Sequence, residues 1–362
     1  METDRRERLF SLDVLRGLDM ILLTVVGPFV AALGATVRLP AGLVRQFQHG
    51  WECFTLWDII MPMFIFMCGA AVPFALGRRL KDGKAGWPYW RHVLGRVCLL
   101  WFLGLLAQGR LMTLDPLRIS PFDNTLQSIA SGYLIAAAVL LVPNRKVQVA
   151  IPIALAAVYA LLLHALGDYT PAGNFAQQVE NVVVPLTVPA GSRVLELADP
   201  GYTWWLTILM FGAMTLCGME ATKILTAAED GMRRFRKLLG LGAALLAAGW
   251  ATSPWIPCVK PIYTFTFTAQ AMGWCCLALA LLFYLTDVRK FRRGLGLFTL
   301  FGQTALLAYM TIEVFQATPL AFARTVTQGF ATAFGPASVP LAEWAVVTAL
   351  LVVILRFRRA AK

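Results

Sequence analysis

The chain is punctuated by apolar runs of about twenty residues, the length at which an α-helix crosses the ~30 Å hydrocarbon core of a bilayer. Ten such runs can be marked, at 17–36, 55–76, 92–109, 125–142, 147–166, 203–222, 236–253, 262–286, 295–313 and 339–356. A backbone in lipid must satisfy its own N–H and C=O groups, so runs of this kind fold as helices. The expected fold is therefore all-α: a polytopic transmembrane helix bundle of about ten spans, forming a single domain over residues 1–362. Only 14% of residues are charged and 58% are hydrophobic, whereas a soluble domain carries roughly a quarter charged residues. Pro152 interrupts the fifth run, and the seventh is short and rich in Gly and Ala. Residues 315–338 are only half apolar, the pattern of an interfacial or re-entrant segment.

An even number of spans places both ends on one side, and the basic residues test that. The N-terminal tail, the C-terminal tail and the segments 77–91, 143–146, 223–237 and 287–294 hold 23 of the 32 Lys and Arg residues. The alternate segments hold seven, and Arg16 and Arg96 lie at span edges. By the positive-inside rule both termini are expected in the cytoplasm. The basic residues sit in short clusters between apolar runs, which argues against nucleic acid as a partner despite the net charge of +12. The N-terminus is shaped like a secretory signal, but Asp13, Asp19 and the length of the apolar stretch identify a retained first span.

On this topology the largest outer segment is 167–202, whose Gly, Pro and polar residues suit either an ordered cap or a flexible lip. His49 and Asp58 fall at the outer end of the first two spans. Asp58 admits two readings. Thr55-x-x-Asp58 has the spacing of a capping box, and a carboxylate at the lip of a membrane helix also suits a reactive group. His49 lies among Gln46, Gln48, Trp51 and Glu52, where a neutral imidazole can act as a general base. Trp51 and Trp57 equally suit interface anchoring.

Other polar residues read more plainly. Ser11-x-Asp13 and Asn124-x-x-Gln127 resemble helix caps, and the spacing of Arg16 and Asp19 allows an ion pair. Gln303 and Glu313 either line a cavity or tie helices together. Gly27-Pro28, and Gly69 with Pro73, mark expected kinks. The seven cysteines include no metal-ligand spacing, so no metal is expected, and the loop placement of Cys53 and Cys258 admits a disulfide between them. There is no G-x-S-x-G, Walker or Rossmann motif, and no internal repeat of the kind many secondary transporters carry.

Six blocks in order carry a resemblance that covers nearly the whole chain. They are SLDVLRGLDM (Ser11–Met20), QFQHGWECFTLWDIIMPMFIFMCGAAVPFAL (Gln46–Leu76), NTLQSIASGYLIAA (Asn124–Ala137), GDYTPAGN (Gly167–Asn174), PWIPCVKPIYTFTF (Pro254–Phe267) and GQTALLAYMTIEVF (Gly302–Phe315). Together they resemble the heparan-α-glucosaminide N-acetyltransferase family, and its bacterial members more closely. The resemblance implies a multi-pass enzyme of the bacterial inner membrane. It would take acetyl-CoA from the cytoplasm and pass the acetyl group to an amino sugar or glycan on the far side. The family's catalytic histidine, followed by tryptophan and aspartate, falls on His49, Trp51 and Asp58 with a one-residue gap. Gly27 stands where the family often has asparagine, and Gln303 or Thr304 and Ile312 stand at its late Asn and His positions.

The expected mechanism has His49 as general base and Asp58 as its orienting carboxylate. Arg78, Arg79, Lys81 and Lys84, the densest basic cluster, are the candidates for the phosphates of acyl-CoA, though setting topology explains them equally. Trp51, Glu52, Lys260 and Glu313 are the candidates for binding the acceptor. The expected partners are acyl-CoA, an amino sugar or glycan and the lipid bilayer, and the reading admits a homodimer. Two alternatives stay open: a transporter or flippase for a sugar or lipid-linked substrate, and a non-catalytic membrane protein of envelope biogenesis.

Overall fold

The computed structural model describes residues 9–81, 86–109, 111, 115–192, 194 and 201–360, the side chains of Arg78, Lys81 and Ala360 excepted. Lys84 lies outside the described residues. All regular secondary structure among them is helical, apart from an isolated antiparallel bridge between Glu52 and Val259. Among the described residues seven helices are long and apolar enough to cross a membrane: Phe10–Thr36, Trp57–Ala75, Trp87–Ala107, Arg145–Leu166, Ile208–Leu225, Phe265–Val288 and Pro336–Arg359. A bent pair, Ala305–Glu313 with Ala317–Val326, turns through 74° and makes an eighth if it is one broken span. That bend falls at the start of the segment expected to be interfacial or re-entrant. Thr125–Leu140 is apolar but shorter, and Gly231–Thr252 is a 22-residue helix over the seventh run.

Two compact units divide the described chain. One gathers residues 1–49, 55–60 and 278–362, and the other residues 50–54 and 61–277. The division falls inside two helices, Trp57–Ala75 and Phe265–Val288.

In the larger unit, glycines decide which helices touch. A Cβ on Gly69 would stand 1.7 Å from the Thr215 carbonyl oxygen, and one on Gly218 would stand 1.9 Å from that of Phe66. Small residues at these points let backbones approach where lipid offers no hydrophobic drive for association. Ile208–Leu225 is accordingly largely buried, as is Trp57–Ala75, against mostly exposed apolar faces on Trp87–Ala107 and Arg145–Leu166. The latter two present their apolar side chains outward, the arrangement of lipid-facing helices. Tyr89 fixes one neighbour by donating to the Ala137 carbonyl at 2.7 Å, and Thr222 fixes another by donating to Ala70 at 2.8 Å. At the end of Ile208–Leu225, Glu220 is paired by Arg145 and by Lys223 (3.0 Å). Pro152 does not break its helix, which runs unbroken from Arg145 to Leu166. A proline costs one backbone bond but leaves the apolar face intact.

In the smaller unit the first helix packs on Gly296–Gln303 through Gly17 and Gly302, whose added Cβ atoms would meet carbonyl oxygens at 1.7 and 1.9 Å. The expected cap at Ser11-x-Asp13 is not what starts this helix. Asp287 accepts the Phe10 and Ser11 amides at 3.0 and 2.9 Å instead. Asp13 turns to Gln303 (3.2 Å) and stands 4.0 Å from Arg16. The expected Arg16–Asp19 pair is therefore not formed: Asp19 is fully buried, with neither oxygen hydrogen-bonded among the described residues. On a helix both i−3 and i+3 were open to Arg16, and the residue nearer the helix start prevailed. Gly27-Pro28 does not interrupt the first helix; a π-helical turn over Leu22–Val26 precedes it.

Candidate functional site

The loop into the second span folds back on itself through short-range polar contacts. Gln46 accepts the Trp57 amide with its carbonyl (3.0 Å) and the Leu56 amide with its side chain (3.1 Å). Residues 46–49 are thereby laid over the start of the 57–75 helix. Asp58, fully buried, uses its two oxygens differently. Oδ2 accepts the Thr55 amide at 3.0 Å and the Thr55 hydroxyl at 2.8 Å. Oδ1 faces His49 Nδ1 at 2.7 Å. The two oxygens of Asp58 thus face different described partners, Thr55 on one and His49 on the other.

This geometry sets the state of the imidazole. Where Asp58 is ionised it can only accept, so the bond is donated by His49 Nδ1 and leaves Nε2 as the ring's other nitrogen for chemistry. The His49 side chain is 44% exposed while Asp58 is sealed beneath it. A buried carboxylate anchored by Thr55 behind a half-exposed imidazole is an arrangement that can orient a general base and stabilise its protonated form.

Beside the pair, a cavity of about 730 Å³ is lined by Gln48 and Trp57, their immediate chain neighbours, rather than by His49 or Asp58. Its wall also includes Gly27, Arg38, Ile312 and Glu313. Gly27 has a steric reason: a Cβ there would stand 2.2 Å from Cη2 of Trp57. With the indole seated on the helix backbone, any side chain at this position requires the ring to shift.

The other candidates lie in the larger unit. The Trp51 indole N–H donates to the Tyr169 carbonyl at 2.8 Å. It holds a tightly ordered turn in which Asp168 accepts the Thr170 amide and hydroxyl at 2.8 and 2.7 Å, bonds that draw its carboxyl below the usual range. Gly173 is required there, since a Cβ would sit 2.3 Å from Asp168 Oδ2. Residues 167–174 are therefore ordered, and Asn174 caps the Phe175–Thr187 helix by accepting the Gln177 amide at 2.7 Å. Exposed Glu52 pairs by its backbone with Val259, next to buried Lys260. The admitted disulfide between Cys53 and Cys258 is not formed, and Cys258 Sγ stands 3.7 Å from the Cys53 carbonyl oxygen. Of the expected phosphate cluster only the Arg79 side chain is described, half-buried after the second span.

Sequence reasoning missed Glu180, a buried carboxylate in the 175–187 helix. Its partners, the Trp204 and Trp205 amides, lie 24 and 25 residues away, beyond the reach of any spacing rule. Compared with protein-family models and with curated proteins, the chain matches none.

Proposed function

We propose that the protein is a ten-span acyltransferase of a bacterial inner membrane, with both termini in the cytoplasm. It would move an acetyl or other small acyl group from cytoplasmic acyl-CoA to an amine on the outer side, that of an amino sugar or glycan. The observation that carries the reading is the His49–Asp58 bond, made by a carboxylate that is buried and anchored on its other oxygen. In the proposed reaction the acceptor nitrogen bonds to the thioester carbonyl carbon as His49 Nε2 takes its proton. The C–S bond then breaks, and the imidazolium returns the proton to the departing thiolate. Asp58 holds the ring in one tautomer throughout and balances its transient charge. Arg79 and its basic neighbours in the chain would meet the phosphates of the donor, and Glu313 the acceptor.

The test is transfer by purified protein from labelled acetyl-CoA to a panel of amino sugars. Labelled product should fall by about 10²–10⁴-fold in His49→Ala, and equal turnover in wild type and variant would refute the assignment. A second reading, transport of a sugar or lipid-linked substrate, draws on the 730 Å³ cavity, whose wall includes neither His49 nor Asp58. Substrate movement in proteoliposomes without acyl-CoA, undiminished in His49→Ala, would favour it.

A further inference from the structure

The cavity of about 730 Å³ in the smaller unit has a wall graded along one helix. Leu23, Gly27, Val30, Ala31 and Gly34 line it at three- and four-residue spacing, so one face of the first helix forms a trough. At ~1.5 Å per residue the stripe is about 16 Å long, roughly half the hydrocarbon core. Three of its five residues are Gly or Ala, which leave open the space that larger side chains would fill. The helix ends at Thr36, and Arg38 stands just beyond it on the same wall. The cavity thus runs from apolar side chains within a span to a guanidinium past its end.

Other elements of the same unit furnish polar groups. Among the described lining residues Arg38 is the one basic side chain and Glu313 the one acidic side chain. Glu313 ends the Ala305–Glu313 helix, and Gln316 lies in the break before the chain turns through 74° into Ala317–Val326. Backbone that leaves a helix at membrane depth is tolerated where it lines a cavity. Gln48 adds a further amide, and the indoles of Trp57 and Trp344 suit the headgroup level, where amphipathic rings collect. Gln48 and Trp57 are the chain neighbours of His49 and Asp58, so the cavity borders the acid–base pair.

We propose that this cavity binds a membrane lipid whose head joins a phosphate to a primary amine, and that this amine is the acceptor. The apolar trough selects a chain rather than a free sugar. Arg38 selects the phosphate, whose oxygens match the planar fork of a guanidinium. Glu313 selects the ammonium by charge, and Gln48 and Gln316 offer amides to the rest of the head. Two kinds of lipid carry that chemistry: an ethanolamine phospholipid and an amino sugar on a lipid phosphate. The ammonium sheds one proton to water before attack. His49 Nε2 takes the second as the nitrogen bonds to the thioester carbonyl carbon, then returns it to the departing thiolate. The acceptor role rests on the acyl-transfer reading; the binding does not.

The test is native mass spectrometry of the full chain in detergent micelles. The probes are dioctanoylphosphatidylethanolamine, its N-acetylated form, dioctanoylglycerol and phosphoethanolamine. The first should bind about tenfold or more tightly than the other three, which lack in turn the ammonium, the phosphate and the chains. Comparable affinity for any of the three would overturn the proposal. Arg38→Gln should weaken phospholipid binding by about tenfold or more and leave dioctanoylglycerol unaffected. Ala31→Trp, at an exposed position in the trough, should abolish binding with the thermal midpoint kept. Wild-type affinity in either variant would overturn the proposal as well. The octyl ester of glucosamine 1-phosphate separates the two sources: the tighter of the two amphiphiles identifies the head, and failure of both to bind sinks the inference. Labelled acetyl from acetyl-CoA should appear on the lipid amine in wild type and not in His49→Ala, which should still bind the lipid. Binding without transfer in wild type would remove the acceptor role together with the acyl-transfer reading and leave the binding site. Transfer to soluble amino sugars without lipid binding would refute this inference alone.

Discussion

Asp58 and Glu180 are both buried carboxylates that accept backbone amides, yet they are built from opposite ends of the chemistry. Asp58 is satisfied by residues three and nine positions away, and its remaining oxygen holds an imidazole. Glu180 is satisfied by a turn 24 and 25 residues distant, and it lines a cavity of the larger unit together with Asp123. The described contacts of Asp58 come from its own loop, whereas those of Glu180 come from a distant turn. The lesson is that one buried acid is anchored within a loop and the other only by the tertiary fold.

The sharpest way to break the comparison is at Asp58. Asp58→Asn keeps the size and the hydrogen bonds to Thr55 but allows the imidazole the wrong tautomer. Acyl transfer measured with labelled donor should fall about 10³-fold or more, with the thermal midpoint nearly unchanged. Wild-type turnover would remove the distinction between the two acids.

The next effect is expected at Glu180, and its sign follows from burial. The folded-state value is raised from the ordinary 4.5 to about 7. Between these limits the folded state holds the proton more tightly than the unfolded one. The stability it contributes is therefore full below pH 4.5 and lost as pH rises towards 7, by on the order of 3 kcal/mol. Thermal midpoints of Glu180→Gln should lack that fall, so the variant gains on wild type as pH is raised from 5 to 8. A constant difference across that range would show that Glu180 is not the buried acid described.

A smaller effect is expected from Thr55→Val, which removes the hydroxyl donor but leaves the amide. The cost should be about 1 kcal/mol in stability, with a several-fold loss of transfer. A loss as large as that of Asp58→Asn would mean that Thr55 is part of the reacting set rather than a support. Smallest of all, Gly27→Ala should shift the Trp57 indole, since the new methyl meets it at 2.2 Å. Overpacking of this kind costs about 1–3 kcal/mol where the neighbour cannot move, less if the ring rotates. Trp57 fluorescence reports which occurs, and an unmoved emission maximum would show that the ring does not abut the helix.

The same contrast explains what was legible in the sequence. Helices such as Arg145–Leu166 and Ile208–Leu225 are written as long apolar runs and were readable at once. So was the Thr55–Asp58 spacing, because helix start signals act within one turn. Asn124 likewise caps its helix as its spacing indicates, accepting the Leu126 amide at 2.8 Å. What could not be read depends on tertiary neighbours. Asp287 displaced Asp13 as the cap of the first helix from 276 residues away, and Trp57 explains Gly27 only once the indole is seen against it. The Glu180 cavity draws its described wall from residues 120–123, 171–184, 194 and 201–204, segments too far apart in sequence for a spacing rule to join them.

The Asp287 cap also bears on how the protein is made. The Phe10 and Ser11 amides emerge from the ribosome 276 residues or more before the carboxylate that receives them. At ~5–20 residues per second, translation needs on the order of tens of seconds to close that interval. The opening helix thus enters the bilayer with its leading amides hydrated, and residues 61–277 are synthesised before residues 278–362 complete the unit around it. A nascent chain that ends short of Asp287 therefore presents the first helix without its cap.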